Sequence, residues 1–170
     1  MVRVAVDAMG GDNAPGEIVK GCLEALRKSP EVKILLCGKP EVLEQELAGQ
    51  SYPAERLETV PASEVIETGD VPVVSVRKKK DSSLVVGMKL VREERADAFV
   101  SAGNSGAILV GGQVLVGRLP GVERAPFAPL IPTEDGGVTL LLDSGANVDA
   151  KAAHLVQFAE MGSLYMEKAL

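Results

Sequence analysis

The sequence is poor in aromatic residues, cysteine and histidine. Tryptophan is absent, aromatic residues make up 3% of the 170 residues, and His154 is the single histidine. Because aromatic side chains are scarce, valine, leucine, isoleucine and alanine must fill the core, as they do in sheets covered by helices on both faces. Cys22 and Cys37 match no metal-ligand spacing, and we interpret them as small buried hydrophobes in a reducing cytosol.

Other absences disfavour whole function classes. The net charge of −6 does not suit nucleic-acid binding, which needs a basic surface. No run of 18 apolar residues is present, so we expect no membrane span, and no signal peptide precedes the first apolar segment. The sequence stops at Leu170 inside an apolar helical pattern, which indicates a truncation.

Short apolar strands alternate with amphipathic helices along the chain. Strands are predicted at 2–6, 32–37, 57–60, 97–101 and 138–142. Helices are predicted at 16–26, 40–47, 82–95, 103–116 and 151–170, with irregular chain at 62–72 and a proline-punctuated connection around 120–132. This alternation predicts a single α/β domain over residues 1–170, with a mostly parallel sheet and helices on both faces.

Three predicted strands end in similar polar, glycine-containing loops, at 7–13, 101–106 and 143–147. Ligands of parallel α/β sheets bind beyond the carboxyl ends of the strands. If the three strands are parallel neighbours, their loops converge on one site. This coincidence is the main sign of function in the residues themselves.

The second loop is the strongest candidate for an anion site. Gly103 and Gly106 permit close backbone approach, and the start of the following helix offers unpaired N–H groups to a phosphate. Ser101, Asn104 and Ser105 add neutral donors. The alternative interpretation is an ordinary strand-to-helix turn capped by Asn and Ser. The loop is neither a Walker A motif nor a GxGxxG fingerprint.

The first loop places Asp7 and Asp12 around the Gly10–Gly11 turn. These carboxylates could orient a cation, cap the helix or bind a metal. A structural metal needs more oxygen ligands than this stretch supplies, so we predict no metal.

A cationic run at 77–80 precedes a predicted helix in an otherwise acidic chain. Three interpretations stay open: a solvated face, capture of phosphate or of an acidic partner, and nucleic-acid binding. Lys78, Lys79 and Lys80 could supply the charge, and Ser82 and Ser83 would add donors at the helix start. The helical His154 is interpreted as structural.

Motifs at 6–15, 77–83, 96–104, 145–149 and 154–159 closely resemble, in order, the bacterial phosphate acyltransferase family, PlsX. The resemblance implies transfer of a fatty acyl group from acyl carrier protein to inorganic phosphate, in phospholipid synthesis. A downstream membrane acyltransferase would use the acyl phosphate. It also implies a fold similar to phosphotransacetylase and isopropylmalate dehydrogenase. It further implies a homodimer, no cofactor, and a cytoplasmic location with loose attachment at the inner face of the membrane. Family chains are longer, and the match covers their N-terminal half.

Within this hypothesis we predict that Asn104, Ser105 and Lys80 contribute to catalysis, and no general base can be named. The predicted phosphate-binding residues are Asp7, Gly10, Gly11, Asp12, Lys79, Ser82, Ser101, Gly103, Gly106, Asp143 and Asn147. Ser105 stands where the family usually has Thr, and Ser144 where it usually has Val. A phosphotransacetylase-like enzyme acting on acyl-CoA, a dehydrogenase of the related fold and a non-catalytic phosphate- or metabolite-binding module remain alternatives.

Overall fold

The computed structural model describes residues 1–147 and 149–169. The chain divides into two compact units, Met1–Gly117 and Arg118–Leu170, and each is described here by itself. The prediction of one α/β domain over residues 1–170 stays a prediction.

A four-stranded parallel sheet forms the centre of the first unit. In spatial order its strands are β3 (Leu57–Pro61), β2 (Val32–Gly38), β1 (Val2–Asp7) and β4 (Ala98–Val100). Each strand lies within a residue or two of its predicted bounds. The mostly parallel α/β fold predicted from the sequence is therefore confirmed.

Five helices connect and flank these strands. They are α1 (Gly16–Lys28), α2 (Pro40–Leu47), α3 (Pro72–Lys78), α4 (Ser83–Arg92) and α5 (Ser105–Gly111), with a 3₁₀ turn at Ala54–Arg56 and a π-helical turn at Gly112–Val116 that continues α5. The predicted helices are confirmed. Helix α3 was missed, because its seven residues are too few to show a helical apolar period.

Side chains of the central strands alternate between the two faces of the sheet, as the two-residue repeat of a strand requires. Val6 and its β2 neighbours Ile34 and Leu36 pack in a cluster with α1. Ala5 packs on the other face, in a cluster that includes Leu90 of α4. Helices therefore cover both faces, as the aliphatic composition predicts.

Both cysteines are buried and free. Burial raises the pKa of the Cys22 thiol to about 11 and that of the Cys37 thiol to about 12. Their interpretation as small hydrophobic core residues is confirmed.

The second unit contains a two-stranded antiparallel sheet and one long helix. Strand β5 (Leu130–Pro132) pairs with β6 (Val138–Leu140), and α6 spans Ala152–Ala169. The sequence led us to expect the strand at 138–142 in the parallel sheet, and this expectation was wrong. Its partner β5 lies in the proline-rich connection, where prolines hid the strand pattern. The predicted helix end at 170 lies outside the described residues, as does residue 148 of the motif at 145–149.

No helix among the described residues is long and apolar enough to cross a membrane.

Candidate functional site

The carboxyl ends of β1 and β4 meet through a hydrogen bond between Asp7 and Ser101. The Ser101 hydroxyl donates to Oδ2 of Asp7 at 2.8 Å, and Oδ1 accepts from the Met9 backbone N–H at 3.2 Å. Asp7 is 2% exposed. Ser101 Oγ also accepts from the backbone N–H of Gly103 at 3.0 Å. The parallel pairing of β1 with β4 thus brings the first and second polar loops together, as predicted.

Glycines allow these two loops to pack backbone against backbone. A Cβ atom built on Gly10 would collide with Oδ2 of Asp7, and one built on Gly103 would lie 3.2 Å from Cα of Gly10. Gly11 has φ of +116° and faces Ala102. The predicted glycine positions therefore leave no room for side chains between the loops.

Asp12, on the same loop, is exposed. It has no hydrogen-bond partner among the residues that the structure describes. Asp7, in contrast, is buried, and each of its carboxylate oxygens accepts a hydrogen bond. The two carboxylates of this loop therefore occupy different environments.

The Asn104 side chain joins two segments of the chain. Its Oδ1 caps α5 by accepting from the Ala107 N–H at 2.9 Å. Its Nδ2 donates to the carbonyl oxygens of Glu67, Thr68 and Asp70 at 3.1–3.2 Å. Both ends of its amide form hydrogen bonds, and the residue is only 8% exposed. Asn104 therefore holds the loop at 67–70 against the start of α5.

Ser105 and Gly106 follow Asn104 and present the open end of α5. Ser105 is exposed, and the described part of the chain offers no acceptor to the backbone N–H groups of either residue. Gly106 lies against α3, since a Cβ built on it would be 2.6 Å from Cγ of Pro72. Backbone donors at a helix start are the groups that bind anions.

Lys79 turns inward rather than towards solvent. Its Nζ forms an ion pair with Asp70 and donates to the Val65 carbonyl oxygen at 2.8 Å. The hydrogen bond from Lys79, helped by the backbone N–H of Glu67, holds the pKa of Asp70 below its usual range. Lys79 and Asn104 thereby fix the loop at 67–70 from two sides.

Three more predicted residues belong to this part of the chain: Ser82, Lys78 and Lys80. Ser82 is fully buried, donates to the Lys79 carbonyl oxygen at 2.8 Å and caps α4. Lys78 and Lys80 are exposed. Lys80 lies two residues beyond the C-terminal end of α3. At a rise of 1.5 Å per helical residue, that end is about 10 Å from Pro72.

Asp143 and Asn147 interact with each other in the second unit. Asp143 Oδ2 accepts from the Asn147 backbone N–H at 2.8 Å and from its Nδ2 at 2.7 Å, and Oδ1 accepts from Phe127 N–H at 2.8 Å. Burial acts to raise the pKa of Asp143, but these hydrogen bonds together outweigh burial and lower it. Within the part of the chain that the structure describes, β6 pairs with β5 alone, so the argument from neighbouring parallel strands does not extend to this pair.

His154 has a structural environment. It is 4% exposed, its Nδ1 accepts from the Lys151 N–H at 3.1 Å, and its Nε2 lies 3.1 Å from Glu123 Oε2. Across residues 1–147 and 149–169, no three His, Cys, Asp or Glu side chains gather closely enough to hold a metal ion.

The loop at 67–70 is the part of the site that the sequence analysis missed. It was interpreted as irregular chain, yet its carbonyl groups hold Asn104 and its Asp70 binds Lys79. The Thr-Gly-Asp sequence at 68–70 is a turn signal, but nothing in it shows which distant side chains it meets.

Comparison with known proteins places the chain in a family. The profile of the family described as "Fatty acid synthesis protein" matches residues 2–170. Phosphate acyltransferases of Alkaliphilus oremlandii and Thermoanaerobacter pseudethanolicus are 48% and 50% identical to it, over 99% and 98% of this chain. The chain spans only 50% and 49% of the length of these curated relatives.

A solved structure is also similar. The branched-chain phosphotransacylase from Enterococcus faecalis V583 has a TM-score of 0.55 at 14% identity, over 99% of this chain and 52% of that chain. At this identity the likeness shows the shared α/β fold alone. On the match from residue 2 to residue 170, this chain belongs to the fatty acid synthesis protein family.

Proposed function

We propose that the protein carrying this sequence is a phosphate acyltransferase that transfers a fatty acyl group from acyl carrier protein to inorganic phosphate. The near-complete match to relatives named phosphate acyltransferase is the observation that carries this proposal. Because the chain spans half of those relatives, the proposal concerns the whole protein that contains it.

The proposed reaction requires no nucleophile from the protein. An oxygen of phosphate attacks the thioester carbonyl carbon, and the tetrahedral oxyanion collapses as the C–S bond breaks. The products are an acyl phosphate and the thiolate of the carrier protein, which takes up a proton. The protein must hold phosphate beside the thioester and stabilise the developing oxyanion.

The open start of α5 supplies the donors for that task. The N–H groups of Ser105 and Gly106 and the Ser105 hydroxyl are the donors that would hold an oxyanion or a phosphate oxygen. Asn104, Ser101 and Asp7 are already bonded to protein groups, so we assign them to positioning these loops. We thus propose that Asn104 supports the loop at 67–70 instead of taking part directly in catalysis.

Charges around the site are divided between two roles. The charge of Lys79 is balanced by Asp70, which suits positioning, whereas Lys78 and Lys80 are exposed and free to attract anions. A direct catalytic role for Lys80 requires its side chain to reach back along α3. Roles for Asp143 and Asn147 in phosphate binding remain proposals, to be tested by Asp143→Asn.

A thiol-release assay on the full-length protein tests the function. We expect phosphate-dependent release of the carrier thiol from acyl carrier protein thioester, and little release from acyl-CoA. Equal or faster turnover of acyl-CoA would favour a phosphotransacetylase-like enzyme, and no turnover of either would favour a binding module. Substitution of Ser105→Ala should lower the rate by about 100-fold, the lower end of the usual cost of losing an oxyanion donor, whereas the exposed Ser51→Ala should not change it.

The family resemblance also suggests how the whole protein behaves. We propose a cytoplasmic homodimer that needs no cofactor and attaches loosely to the inner face of the membrane, where an acyltransferase consumes the acyl phosphate. Size-exclusion chromatography with light scattering tests the dimer. Sedimentation with anionic vesicles tests the attachment.

A further inference from the structure

Helix α3 and Val71, the residue that precedes it, carry three exposed apolar side chains. Val71, Val73 and Val74 are 64%, 47% and 46% exposed. The opposite side of the helix carries Ser75 and Val76, which are buried. An amphipathic surface helix normally turns its apolar side inward, so three adjacent exposed valines indicate a contact surface.

Two cations share this outward side. Arg77 follows Val73 by four positions and Lys78 follows Val74 by four, and residues with this spacing are neighbours on a helix surface. Both cations are exposed. Among the described residues Lys79 is the one member of the run at 77–80 that forms an ion pair. We name the surface formed by Val71, Val73, Val74, Arg77 and Lys78 the α3 face.

The α3 face begins beside the candidate anion site. Pro72, the first residue of α3, lies against Gly106 at the open start of α5. Behind α3, the loop at 67–70 is held by Asn104 and by Lys79. A molecule bound on this face would therefore meet a firmly supported helix next to the donors of Ser105 and Gly106.

We propose that the α3 face is the docking surface for an acidic, acyl-bearing protein, which under the proposed function is acyl carrier protein. The chain carries a net charge of −6, so this basic patch stands out as a place where the chain attracts an acidic partner. The valines lie one helical turn before the cations, so the partner would meet an apolar contact beside the positive charge, and protein interfaces combine such apolar and polar parts.

A membrane surface fits the α3 face less well. Helices that lie in the lipid interface bury large side chains such as Trp, Phe and Leu, whereas this helix offers valines only. Its seven residues span about 10 Å at 1.5 Å per residue, which gives little apolar area to bury in lipid. The observations therefore favour a protein partner.

Charge reversal tests the docking surface in the full-length protein. In Arg77→Glu/Lys78→Glu, we expect the Kd for acyl carrier protein, measured by biolayer interferometry, to rise about 10-fold, with a weaker dependence on salt. The matched control is Arg27→Glu/Lys28→Glu, since these exposed cations also end a helix. The control should bind as the wild type does.

A second variant tests the valines of the α3 face without changing its charge. Val73→Ser/Val74→Ser replaces two exposed side chains, so folding should be preserved. We expect a weaker affinity for the carrier protein with the salt dependence of the wild type. An unchanged Kd in both variants overturns the α3 face as the docking surface.

The binding measurement also separates this inference from the proposed function. If the wild type turns over acyl carrier protein thioester and the variants bind the carrier protein with the wild-type Kd, the function stands and the docking surface is wrong. If the wild type shows no turnover, a rise of the Kd in the variants still supports docking, and absence of binding to the wild type overturns it.

Two further outcomes also contradict the inference. A variant that falls apart into smaller species, or melts at a lower temperature while keeping its Kd, shows that another part of the protein covers the α3 face. If the variants lose binding to phosphatidylglycerol vesicles but keep their affinity for the carrier protein, the α3 face is assigned to the membrane instead.

Discussion

The hydroxyl of Ser101 donates a 2.8 Å hydrogen bond to the carboxylate of Asp7 and so ties the end of β4 to the end of β1. Ser101 also accepts from the Gly103 N–H, which sets the direction in which the chain enters α5. One serine thus links the buried carboxylate to the helix start that carries the free donors.

Ser101→Ala should destabilise the protein, because it removes a hydrogen-bond donor from a carboxylate that is 2% exposed. Hydrogen bonds to charged groups contribute about 1.5–3 kcal/mol, and we expect the free energy of unfolding to fall by that amount. Since tryptophan is absent, urea denaturation is followed by circular dichroism. Ser105→Ala, at an exposed site, should shift stability by less than about 0.5 kcal/mol; equal stability of both variants would contradict the role of Ser101.

Gly10→Ala should be more damaging than its small size suggests. The added Cβ would collide with the Asp7 carboxylate and approach Ser101 Oγ to 3.0 Å, so the two loops must separate. Gly21→Ala is the matched control, because nothing lies within 4 Å of its Cβ position in α1. Helix propensity predicts a gain of about 0.5–1 kcal/mol for the control. Thermal melting of the two variants should move in opposite directions, and a rise for Gly10→Ala would refute the close packing.

Asn104→Asp should give a pH-dependent loss of stability. The new carboxylate would replace Nδ2 opposite the carbonyl oxygens of Glu67, Thr68 and Asp70, and this contact disfavours the charged form. The pKa of the new carboxyl should therefore rise above its unfolded value of about 3.9. Stability is then greatest below that pH and is lost as the pH rises through the folded pKa.

Asn104→Ala is the control for this pH effect. It removes the cap and the contacts with the loop but adds no charge, so its loss of stability should differ little between pH 4 and pH 7. Chemical denaturation of both variants at the two pH values makes the comparison. Parallel pH curves for the two variants would show that Nδ2 does not face the carbonyl groups.

The ion pair between Arg3 and Asp97 should contribute to acid unfolding. The guanidinium of Arg3, followed by its backbone N–H, lowers the pKa of Asp97 from 3.8 to about 2. A lowered pKa means that the contribution is present above about pH 4 and is lost as the pH falls towards 2. Asp97→Asn should therefore flatten the decline of stability in this range, and Arg3→Gln should flatten it similarly. A wild-type slope in either variant would count against the pair.

The sequence predicts the parallel sheet and the meeting of the first two loops. Each strand is a short apolar segment followed by a turn signal, and neighbouring parallel strands place their carboxyl ends at one edge. The contact between Asp7 and Ser101 follows from that rule once β1 and β4 are neighbours. The second unit shows the limit. Asp135-Gly136 between β5 and β6 is a hairpin signal, but Pro129 and Pro132 mask the strand pattern of β5.

The orientation of the lysines could not be predicted. Lys78, Lys79 and Lys80 have the same chemistry, and the angular phase of α3 together with the backbone turn at its end decides which of them turns inward. That phase depends on the burial of Ser75 and Val76 and on the position of Asp70. The contacts of Asn104 with the loop at 67–70 could not be predicted either, because these partners lie far away in the sequence.

The burial of Cys22 and Cys37 makes the wild-type chain a convenient host for site-specific labelling. Thiols react as thiolates, and pKa values of about 11 and 12 keep both in the unreactive form near neutral pH. A single Val73→Cys substitution would therefore direct a maleimide fluorophore to the outer side of α3. The emission of such a probe would report the arrival of a partner protein in real time, with neither native cysteine replaced.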